Sequence, residues 1–302
     1  MNLDFSPCPF QQLTVVGLGM IGGSVAMAAR ERWPDLVIRA VDSNAEALQF
    51  GLRHDIVNQV QLGELPTDWG DDASGEHLVV LASHLSVNEV TLQALAPRVQ
   101  GRAVVVTDLG SCKRRIVELG DRLLPGQFIG AHPMAGKEKA GIDHATALMF
   151  TGKTFIVCPT PANQQAPALE RLKLFIQGLG ARPTELDATI HDQYMAYVSH
   201  LPQLYSILLT NLIAKHEPAR LLTYHGGGID DQLRLAASPY GMWGDIFSQN
   251  ADHLRQVLDE MMQLLQQARQ DLDQPEMAQW FQTANHMHQA FHALRQPVHL
   301  VP

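Results

Sequence analysis

Polar side chains suited to catalysis follow two predicted strands and recur in one helical stretch. The first two segments are TDLGSCK at 107–113 and GAHPMAG at 130–136, and the third is SHLPQ at 199–203. Ligands of open α/β sheets collect beyond the carboxyl ends of the strands. A neutral imidazole can take the proton of an alcohol as hydride leaves the alcohol carbon, so His132 is a candidate base. Ser111 is a candidate to share that proton, and a buried structural histidine is the alternative reading of His132.

A glycine-rich turn follows the first predicted strand. In G-x-G-x-x-G, the first glycine makes the tight turn, the second lets a pyrophosphate approach the backbone, and the third lets helix and strand pack closely. The N–H groups of the following helix start attract phosphate. The predicted dinucleotide site therefore comprises Gly17, Gly19, Met20, Ile21 and Gly22.

An acidic residue closes the second predicted strand. Asp42 lies 20 residues past Gly22, where a carboxylate accepts hydrogen bonds from the ribose hydroxyls. Ser43 follows it, and no neighbouring arginine is present to neutralise a 2′-phosphate, so NAD is favoured over NADP. Asp108 ends a later strand on the same side and is expected at the cofactor. A glycine-rich turn in some other α/β protein is the alternative reading.

Short β-branched runs alternate with helical patterns over the first part of the chain. Most of these runs are continuously apolar, as strands buried on both faces should be, and their alternation with helices implies a mostly parallel sheet. The predicted strands are 13–18, 36–42, 77–82, 103–108, 128–132, 154–159 and a weaker one at 181–186.

The pattern becomes helical at Asp187. We predict an α/β protein with an N-terminal Rossmann-type domain over 1–186 and an all-helical C-terminal domain over 187–302. Pro202 should kink or restart its helix. A glycine-rich loop is expected at 225–230, and the tail after about residue 274 is read as a short helix or a loose end.

Composition excludes several classes of protein. The 302 residues carry a net charge of −9, which disfavours nucleic acid and anionic membrane as partners. No apolar run suits a membrane span, and the N-terminus has no secretory pattern. The three cysteines lack a C-x-x-C pair, so we expect a cytoplasmic protein. His286, His288 and His292 have no acid or cysteine to complete a metal site.

Five segments together resemble the prephenate/arogenate dehydrogenase family of tyrosine biosynthesis. The resemblance runs in order over about residues 13–265, and HPMAG followed by E-K-x-G is its most specific part. The segments are VVGLGMIGGSVA, VTDLGSCK, FIGAHPMAGKEKAG, SHLP and GGGIDDQLRLAASPYGMWGDIFSQN.

The resemblance implies a reaction and a set of roles. The family oxidises a cyclohexadienol, passing hydride to a nicotinamide while the ring carboxylate leaves as carbon dioxide and the ring becomes aromatic. By this resemblance His132 polarises the hydroxyl, Ser111 assists it, and Arg234 holds a substrate carboxylate with its planar guanidinium. Ser199 and His200 match a segment that enters the site from the helical domain.

Three positions depart from the usual family pattern. Gln203 stands where many members have histidine, facing the side chain that distinguishes prephenate from arogenate. A neutral glutamine favours prephenate, although it can also bond an amine, so dual use is open. Lys137 replaces a small hydroxyl residue and adds positive charge near the substrate. Ala-Ser-His at 82–84 replaces the usual cofactor wall, which places Ser83 at the cofactor.

The sequence therefore predicts an NAD-dependent prephenate dehydrogenase that forms a homodimer through its helical domain. The nearest rivals are an arogenate or dual-specificity enzyme, or one acting on an amino-substituted prephenate analogue. A β-hydroxyacid dehydrogenase would need a catalytic lysine on the long helix, which carries only Lys215 near its end. The rival from another class is a nicotinamide-binding regulator without turnover, against which His132, Ser111 and Arg234 argue.

Overall fold

The computed structural model describes residues 7–69, 76–136, 139 and 141–295. Within these residues, eight strands form one sheet in the order β3-β2-β1-β4-β5-β6-β7-β8. Neighbouring strands are parallel except for β6 and β7, which are antiparallel. The strands are β1 (Gln12–Val16), β2 (Val37–Asp42), β3 (Gln59–Leu62), β4 (His77–Leu81), β5 (Val104–Asp108), β6 (Phe128–Pro133), β7 (Thr154–Cys158) and β8 (Arg182–Glu185).

All seven predicted strands are confirmed, and with them the predicted fold class. The prediction missed β3, whose sequence QVQL alternates and whose residues are half-buried or exposed. It lies at the edge of the sheet, where only one neighbour covers it, so it lacks the continuous apolar run that identifies the inner strands.

Helices cover both faces of the sheet, which explains the continuously apolar strands. One face packs against α1 (Met20–Arg32), α2 (Ala45–Arg53) and α5 (Pro167–Gly178). The other face packs against α3 (Leu85–Val99) and α4 (Arg114–Leu123). The order β3-β2-β1-β4 reverses direction beside β1, and this reversal leaves a crevice beyond the carboxyl ends of β1 and β4.

The chain is helical after β8. Five helices follow within the first of two compact units, which spans residues 1–253. They are α6 (Ala188–Met195), α7 (Leu201–Ala214), α8 (Pro218–Leu222), α9 (Gly227–Ala236) and α10 (Tyr240–Gln249).

A π-helical turn, Ala196–His200, joins α6 to α7. Pro202 occupies the first turn of α7. Proline has no N–H, and its ring would collide with the carbonyl four residues earlier in a regular α-helix, so the wider turn accommodates it. The backbone stays helical through this point, since Met195, His200 and Leu201 keep right-handed helical dihedrals. The irregularity expected at this proline therefore takes the form of a π-helical turn rather than a new helix start.

The glycine-rich stretch at 225–230 was predicted as a loop, and this was wrong for most of it. α9 begins at Gly227, with Gly226 as its N-cap residue in an extended conformation. Asp230 lies in the first helical turn, where the positive end of the helix dipole stabilises a carboxylate.

The second compact unit, residues 254–302, contains most of α11 (Ala251–Asp271) and all of α12 (Met277–Arg295). In the described part of the tail, up to residue 295, the chain therefore forms a 19-residue helix, which is longer than the short helix expected. Asp271 joins the two helices, because its carboxylate accepts hydrogen bonds from Gln267 at 2.9 Å and Trp280 at 3.0 Å. Among the described residues, no helix is long and apolar enough to cross a membrane.

Candidate active site

The glycine turn between β1 and α1 has the geometry that a dinucleotide requires. Gly17 has φ +96°, and a Cβ there would lie 2.6 Å from Ser83 Oγ. A Cβ on Gly22 would lie 2.0 Å from the carbonyl oxygen of Gly17, so only glycine fits at either position. A Cβ on Gly19 would meet nothing within 4 Å. That open space, beside the helix start at Met20, is where a pyrophosphate can approach the backbone.

Asp42 is held at the end of β2 by two backbone N–H groups. Its Oδ2 accepts a hydrogen bond from Leu18 at 2.6 Å, and its Oδ1 accepts one from Asn44 at 2.8 Å. A carboxylate has about four lone-pair positions, so it keeps acceptor capacity for ribose hydroxyls. Ser43 beside it is exposed. These residues fit an adenine ribose without a 2′-phosphate.

A buried ion pair lies at the carboxyl ends of β5 and β6. The Lys113 ammonium contacts Asp108 Oδ2 and donates to the carbonyl oxygen of Ala131 at 2.8 Å. Both charged side chains are completely buried. Asp108 also accepts a hydrogen bond from the Gly110 N–H at 2.8 Å. The pair joins the turn that carries Ser111 to the strand that carries His132, and the predicted contact of Asp108 with a cofactor stays a prediction.

His132 is the outer member of a chain of hydrogen-bonded side chains. Its Nδ1 lies 2.9 Å from His191 Nε2, and the two rings meet edge to face with centroids 5.1 Å apart. His191 Nδ1 lies 2.7 Å from Asp192 Oδ1. The Asp192 carboxylate also accepts backbone N–H groups of Lys113 at 2.7 Å and Arg114 at 2.9 Å. Asp192 therefore sits at the N-terminus of α4.

Burial and hydrogen bonding shift the pKa values of these three groups in the directions that favour neutral histidines and an ionised aspartate. Burial is the main cause that lowers the pKa of His132 well below its ordinary value, and His191 and Lys113 add to it. Burial also lowers the pKa of His191, although Asp192 opposes the shift. Burial by itself would raise the pKa of Asp192, but hydrogen bonds from His191 and two backbone N–H groups outweigh it and lower that pKa.

His200 belongs to the same network through Asn250. The Asn250 amide nitrogen lies 2.7 Å from the carbonyl oxygen of Asp192 and 3.0 Å from His200 Nδ1. Burial lowers the pKa of His200 to about 4. Its Nε2 and the Trp243 Nε1 are buried without a hydrogen-bond partner in the described part of the chain. The two rings meet edge to face with centroids 6.2 Å apart.

Gln203 bonds to the protein rather than pointing freely into a site. Its Nε2 donates to the carbonyl oxygen of Leu235 at 2.8 Å, and the side chain is buried. Arg234 precedes Leu235 on α9. Its side chain is 53% exposed, and its guanidinium lies 3.8 Å from Asp231 Oδ1.

The remaining predicted site residues are placed as follows. Ser111 and Ser199 are half-buried, the first in the turn before α4 and the second in the π-helical turn. Ser83 lies against Gly17, and Ile21 is half-buried at the start of α1. Lys137 lies outside the described residues.

The sequence interpretation missed His191, Asp192 and Asn250. A signal was available for the first two. Helical spacing places residues 191 and 192 on the same face as Met195 and Ala196, which is the buried face of α6 and the turn after it. An imidazole and a carboxylate on an apolar face require partners, which marks them as candidates. Nothing in the sequence pattern distinguished Asn250.

The doubly wound sheet, the glycine turn and the buried histidine network define a dinucleotide-binding α/β protein with a candidate site for acid–base chemistry. The family model described as "Prephenate dehydrogenase, nucleotide-binding domain" matches residues 25–185, and the model described as "Prephenate dehydrogenase, dimerization domain" matches residues 187–289. The chain belongs to the prephenate dehydrogenase family.

Curated relatives span most of the chain. A prephenate dehydrogenase of Bacillus subtilis is 29% identical over 283 residues, which cover 90% of this chain and 74% of the relative. A cyclohexadienyl dehydrogenase of Zymomonas mobilis is 29% identical over 265 residues, which cover 86% of this chain and 88% of the relative.

Solved structures share the fold. A crystal structure of prephenate dehydrogenase from Aquifex aeolicus, in complex with hydroxyphenyl propionate and NAD+, has a TM-score of 0.84 at 24% identity. The match covers 93% of this chain and 98% of the Aquifex chain. The arogenate dehydrogenase of Synechocystis has a TM-score of 0.76 at 24% identity, covering 93% of this chain and 99% of its own.

Proposed function

We propose that the protein is an NAD-dependent prephenate dehydrogenase, which converts prephenate to 4-hydroxyphenylpyruvate and carbon dioxide. The observation that carries the proposal is the position of His132 near the end of β6, with its Nδ1 hydrogen-bonded to His191, in a member of the prephenate dehydrogenase family. β5 and β6 are parallel neighbours, so the turn after β5 brings Ser111 to the same edge of the sheet. Named relatives include prephenate dehydrogenases.

His132 acts as the base in this proposal. Its Nε2 accepts the proton of the ring hydroxyl while hydride leaves the carbon that bears it. NAD, when bound, supplies the hydride acceptor. The ring carboxylate leaves as carbon dioxide, its bonding electrons enter the ring, and His132 returns the proton to what is now a phenol oxygen. Ser111 orients the hydroxyl, and because the ring gains aromaticity, the protein need only orient and hold charge.

The substrate carries two carboxylates, which call for positive or hydrogen-bonding groups. We assign Arg234 to one of them, because a guanidinium grips a carboxylate through two parallel hydrogen bonds. Ser199, His200 and Lys137 complete the proposed substrate contacts, and the unpartnered, buried Nε2 of His200 supports its place among them.

The cofactor site is proposed over the β1–α1 turn. Gly17 and Gly22 shape the turn, and Gly19, Met20 and Ile21 face the pyrophosphate. Asp42 takes the adenine ribose hydroxyls, and it would repel the 2′-phosphate of NADP. Ser83 and Asp108 are the remaining proposed cofactor residues.

We further propose a division into a cofactor domain over 1–186 and a helical domain over 187–302, through which two copies dimerise. β8 ends at Glu185 and α6 begins at Ala188, and the two family models meet at the same place. The three cysteines are free, which fits a reducing compartment such as the cytoplasm.

A second candidate function is the oxidation of arogenate, alone or together with prephenate. Gln203 donates an amide N–H to the carbonyl oxygen of Leu235, so in this alternative its own carbonyl oxygen is the group that meets the substrate side chain. A carbonyl oxygen accepts a hydrogen bond from an ammonium group, which arogenate has and prephenate lacks. The Zymomonas relative named cyclohexadienyl dehydrogenase supports this alternative.

The deciding experiment assays purified protein with prephenate and arogenate, each with NAD and NADP. We expect reduced nicotinamide and carbon dioxide in equal amounts from prephenate and NAD. His132→Asn serves as the control, and it should lose kcat while still binding NAD. Turnover of arogenate alone would replace the first function with the second, and silence with both substrates, despite NAD binding, would favour a regulator without turnover.

A further inference from the structure

We propose that Asp192, acting through His191, is a positioning residue that fixes the tautomer of His132, so that His132 presents the lone pair of Nε2 to the substrate hydroxyl. The proposal rests on the proposed role of His132 as the base. Its evidence is the uninterrupted path from Asp192 Oδ1 to His191 Nδ1 at 2.7 Å and from His191 Nε2 to His132 Nδ1 at 2.9 Å.

The inner end of this path is a fixed carboxylate. Asp192 accepts the backbone N–H groups of Lys113 and Arg114 at the start of α4 and is 1% exposed. The positive end of the helix dipole stabilises an anion at this place. A carboxylate held in this way only accepts hydrogen bonds, so it sets the direction of every bond that follows.

The direction of each hydrogen bond follows from the one before it. Because Asp192 accepts, the proton of neutral His191 lies on Nδ1, and its Nε2 has a lone pair. That lone pair accepts from His132 Nδ1, so the proton of neutral His132 lies on Nδ1 as well. His132 Nε2 is then unprotonated, which is the state a base needs.

The backbone carbonyl of Asp192 sets the tautomer of a second histidine, His200, and this tautomer is the opposite of the one at His132. That carbonyl oxygen can only accept, so the group that Asn250 directs at it is the amide NH₂, which also donates to His200 Nδ1. The Asn250 oxygen lies 2.9 Å from His253 Nδ1, which completes the assignment. The proton of neutral His200 therefore lies on Nε2. One residue thus gives His132 a lone pair and His200 an N–H.

The same anchor also fixes the position of Ser111. The N–H groups that Asp192 accepts belong to residues 113 and 114, and Ser111 lies in the turn just before them. Removing the carboxylate would therefore loosen the turn that carries Ser111 and the tautomer of His132 together. Removing His191 takes one donor from Asp192 but leaves both of its bonds to the backbone of α4, so His191 is the better position for a test.

The decisive measurement is the tautomer itself. Long-range ¹H–¹⁵N spectra of the full protein with ¹⁵N-labelled histidine, at neutral pH and with no substrate, report which ring nitrogen carries the proton. The spectrum of His132→Asn assigns the His132 signals. We expect His132 to be protonated on Nδ1, and protonation on Nε2 in the wild-type protein would overturn the proposal. This result does not depend on which substrate is turned over.

Kinetics with a matched pair of variants supply the second measurement. His191→Leu removes the acceptor, and kcat should fall by between about tenfold and 10⁴-fold, as when other orienting partners of functional histidines are removed. His191→Gln can place an oxygen near the former Nε2 and should restore most of the loss. KM and NAD affinity should change little, and His286→Leu, at an exposed position on α12, is the control.

The outcomes separate this proposal from the function it rests on. If His191→Leu and His191→Gln lose kcat equally while both fold, the positioning role is refuted. If His191→Leu fails to fold, the wild-type spectrum and the glutamine variant still decide. If the tautomer is as expected but neither prephenate nor arogenate is oxidised, the proposed function fails and the positioning stands.

Discussion

Gln203 on α7 donates a hydrogen bond to the carbonyl oxygen of Leu235 on α9, at 2.8 Å. A second bond runs parallel to it, from Ser206 Oγ to Gln232 Oε1 at 2.6 Å. α9 carries Arg234, so these two bonds fix the helix that presents the proposed carboxylate ligand. Gln203 therefore helps to hold the helix that carries Arg234, in addition to the substrate contact proposed for its own side chain.

Replacing Gln203 with Met should weaken substrate binding without affecting the cofactor. Met has a similar length but donates no hydrogen bond, and a typical hydrogen bond contributes about 1 kcal/mol, so KM should rise roughly fivefold. Steady-state kinetics and NAD titration measure the two effects. An unchanged KM for both candidate substrates would show that the bond to Leu235 has no part in substrate binding.

Alanine at Gly22 should lower stability, whereas alanine at Gly19 should leave stability unchanged and weaken NAD binding. The Gly19 Cβ would enter open space, so Gly19→Ala should keep its melting temperature but bind NAD at least about tenfold more weakly, because the methyl group occupies the phosphate approach. The Gly22 Cβ would lie 2.0 Å from the Gly17 carbonyl oxygen, so Gly22→Ala should lose about 1–3 kcal/mol of stability from overpacking. Thermal unfolding and NAD titration test the pair, and equal melting temperatures would contradict it.

The free energy of unfolding should fall between pH 6.5 and 4, in part because of His77. This residue is 4% exposed, its Nε2 lies 2.8 Å from Thr14 Oγ1, and burial is the main cause that lowers its pKa from 6.5 to about 4. The unfolded chain therefore binds a proton that the folded chain resists. The stability is complete above pH 6.5 and is lost as the pH falls toward 4.

Replacement of His77 with Gln should flatten this dependence. The difference between the two proteins should change by about 3 kcal/mol at most over that range, at about 1.4 kcal/mol per pH unit. Urea unfolding at a series of pH values measures it. His200 has a similarly lowered pKa and keeps its own contribution in both proteins, so parallel curves would rule out a role for His77.

Lys113→Met should be strongly destabilising, because it leaves the Asp108 carboxylate buried without its cation. Loss of one partner of a buried pair costs about 3–5 kcal/mol. The double variant Lys113→Met with Asp108→Leu removes both charges and should recover much of that loss. Denaturant unfolding of the single and double variants supplies the comparison, and a double variant less stable than the single one would contradict the ion-pair explanation.

The sheet was predictable because burial on both faces leaves a strong local signal. Runs such as LVVL in β4 have no polar position to confuse them with a surface helix. β3 gave no such signal, since QVQL at an edge resembles many loops. The glycines at 226–228 suggested a loop by composition, yet the carboxylate of Asp230 and the packing of α9 against α7 favour a helix there.

The candidate site was only partly predictable, for a different reason. His132 lies near the end of β6 and Ser111 in the turn after β5, so their place at the edge of the sheet follows from strand direction. His191 and Asp192 lie some 60 positions further on, and their approach to His132 depends on how α6 docks against α4, which no local pattern records. Gln203 was predicted to face a substrate, but the position of its amide group depends on α9, a separate helix.

The π-helical turn at Ala196–His200 also changes the angular phase of the helix. A π turn takes up one residue more than an α turn, so every residue after it is rotated by about 100° from where an unbroken α-helix would put it. His191 lies before the turn and His200 within it, and both are linked to Asp192, the first through its carboxylate and the second through Asn250. Deleting one residue from the turn, outside the hydrogen-bonded network, would leave every side chain of that network in the sequence. It would nevertheless rotate Gln203 and the rest of α7 about the helix axis. A change in chain length by a single residue would therefore damage this site more than most substitutions within it.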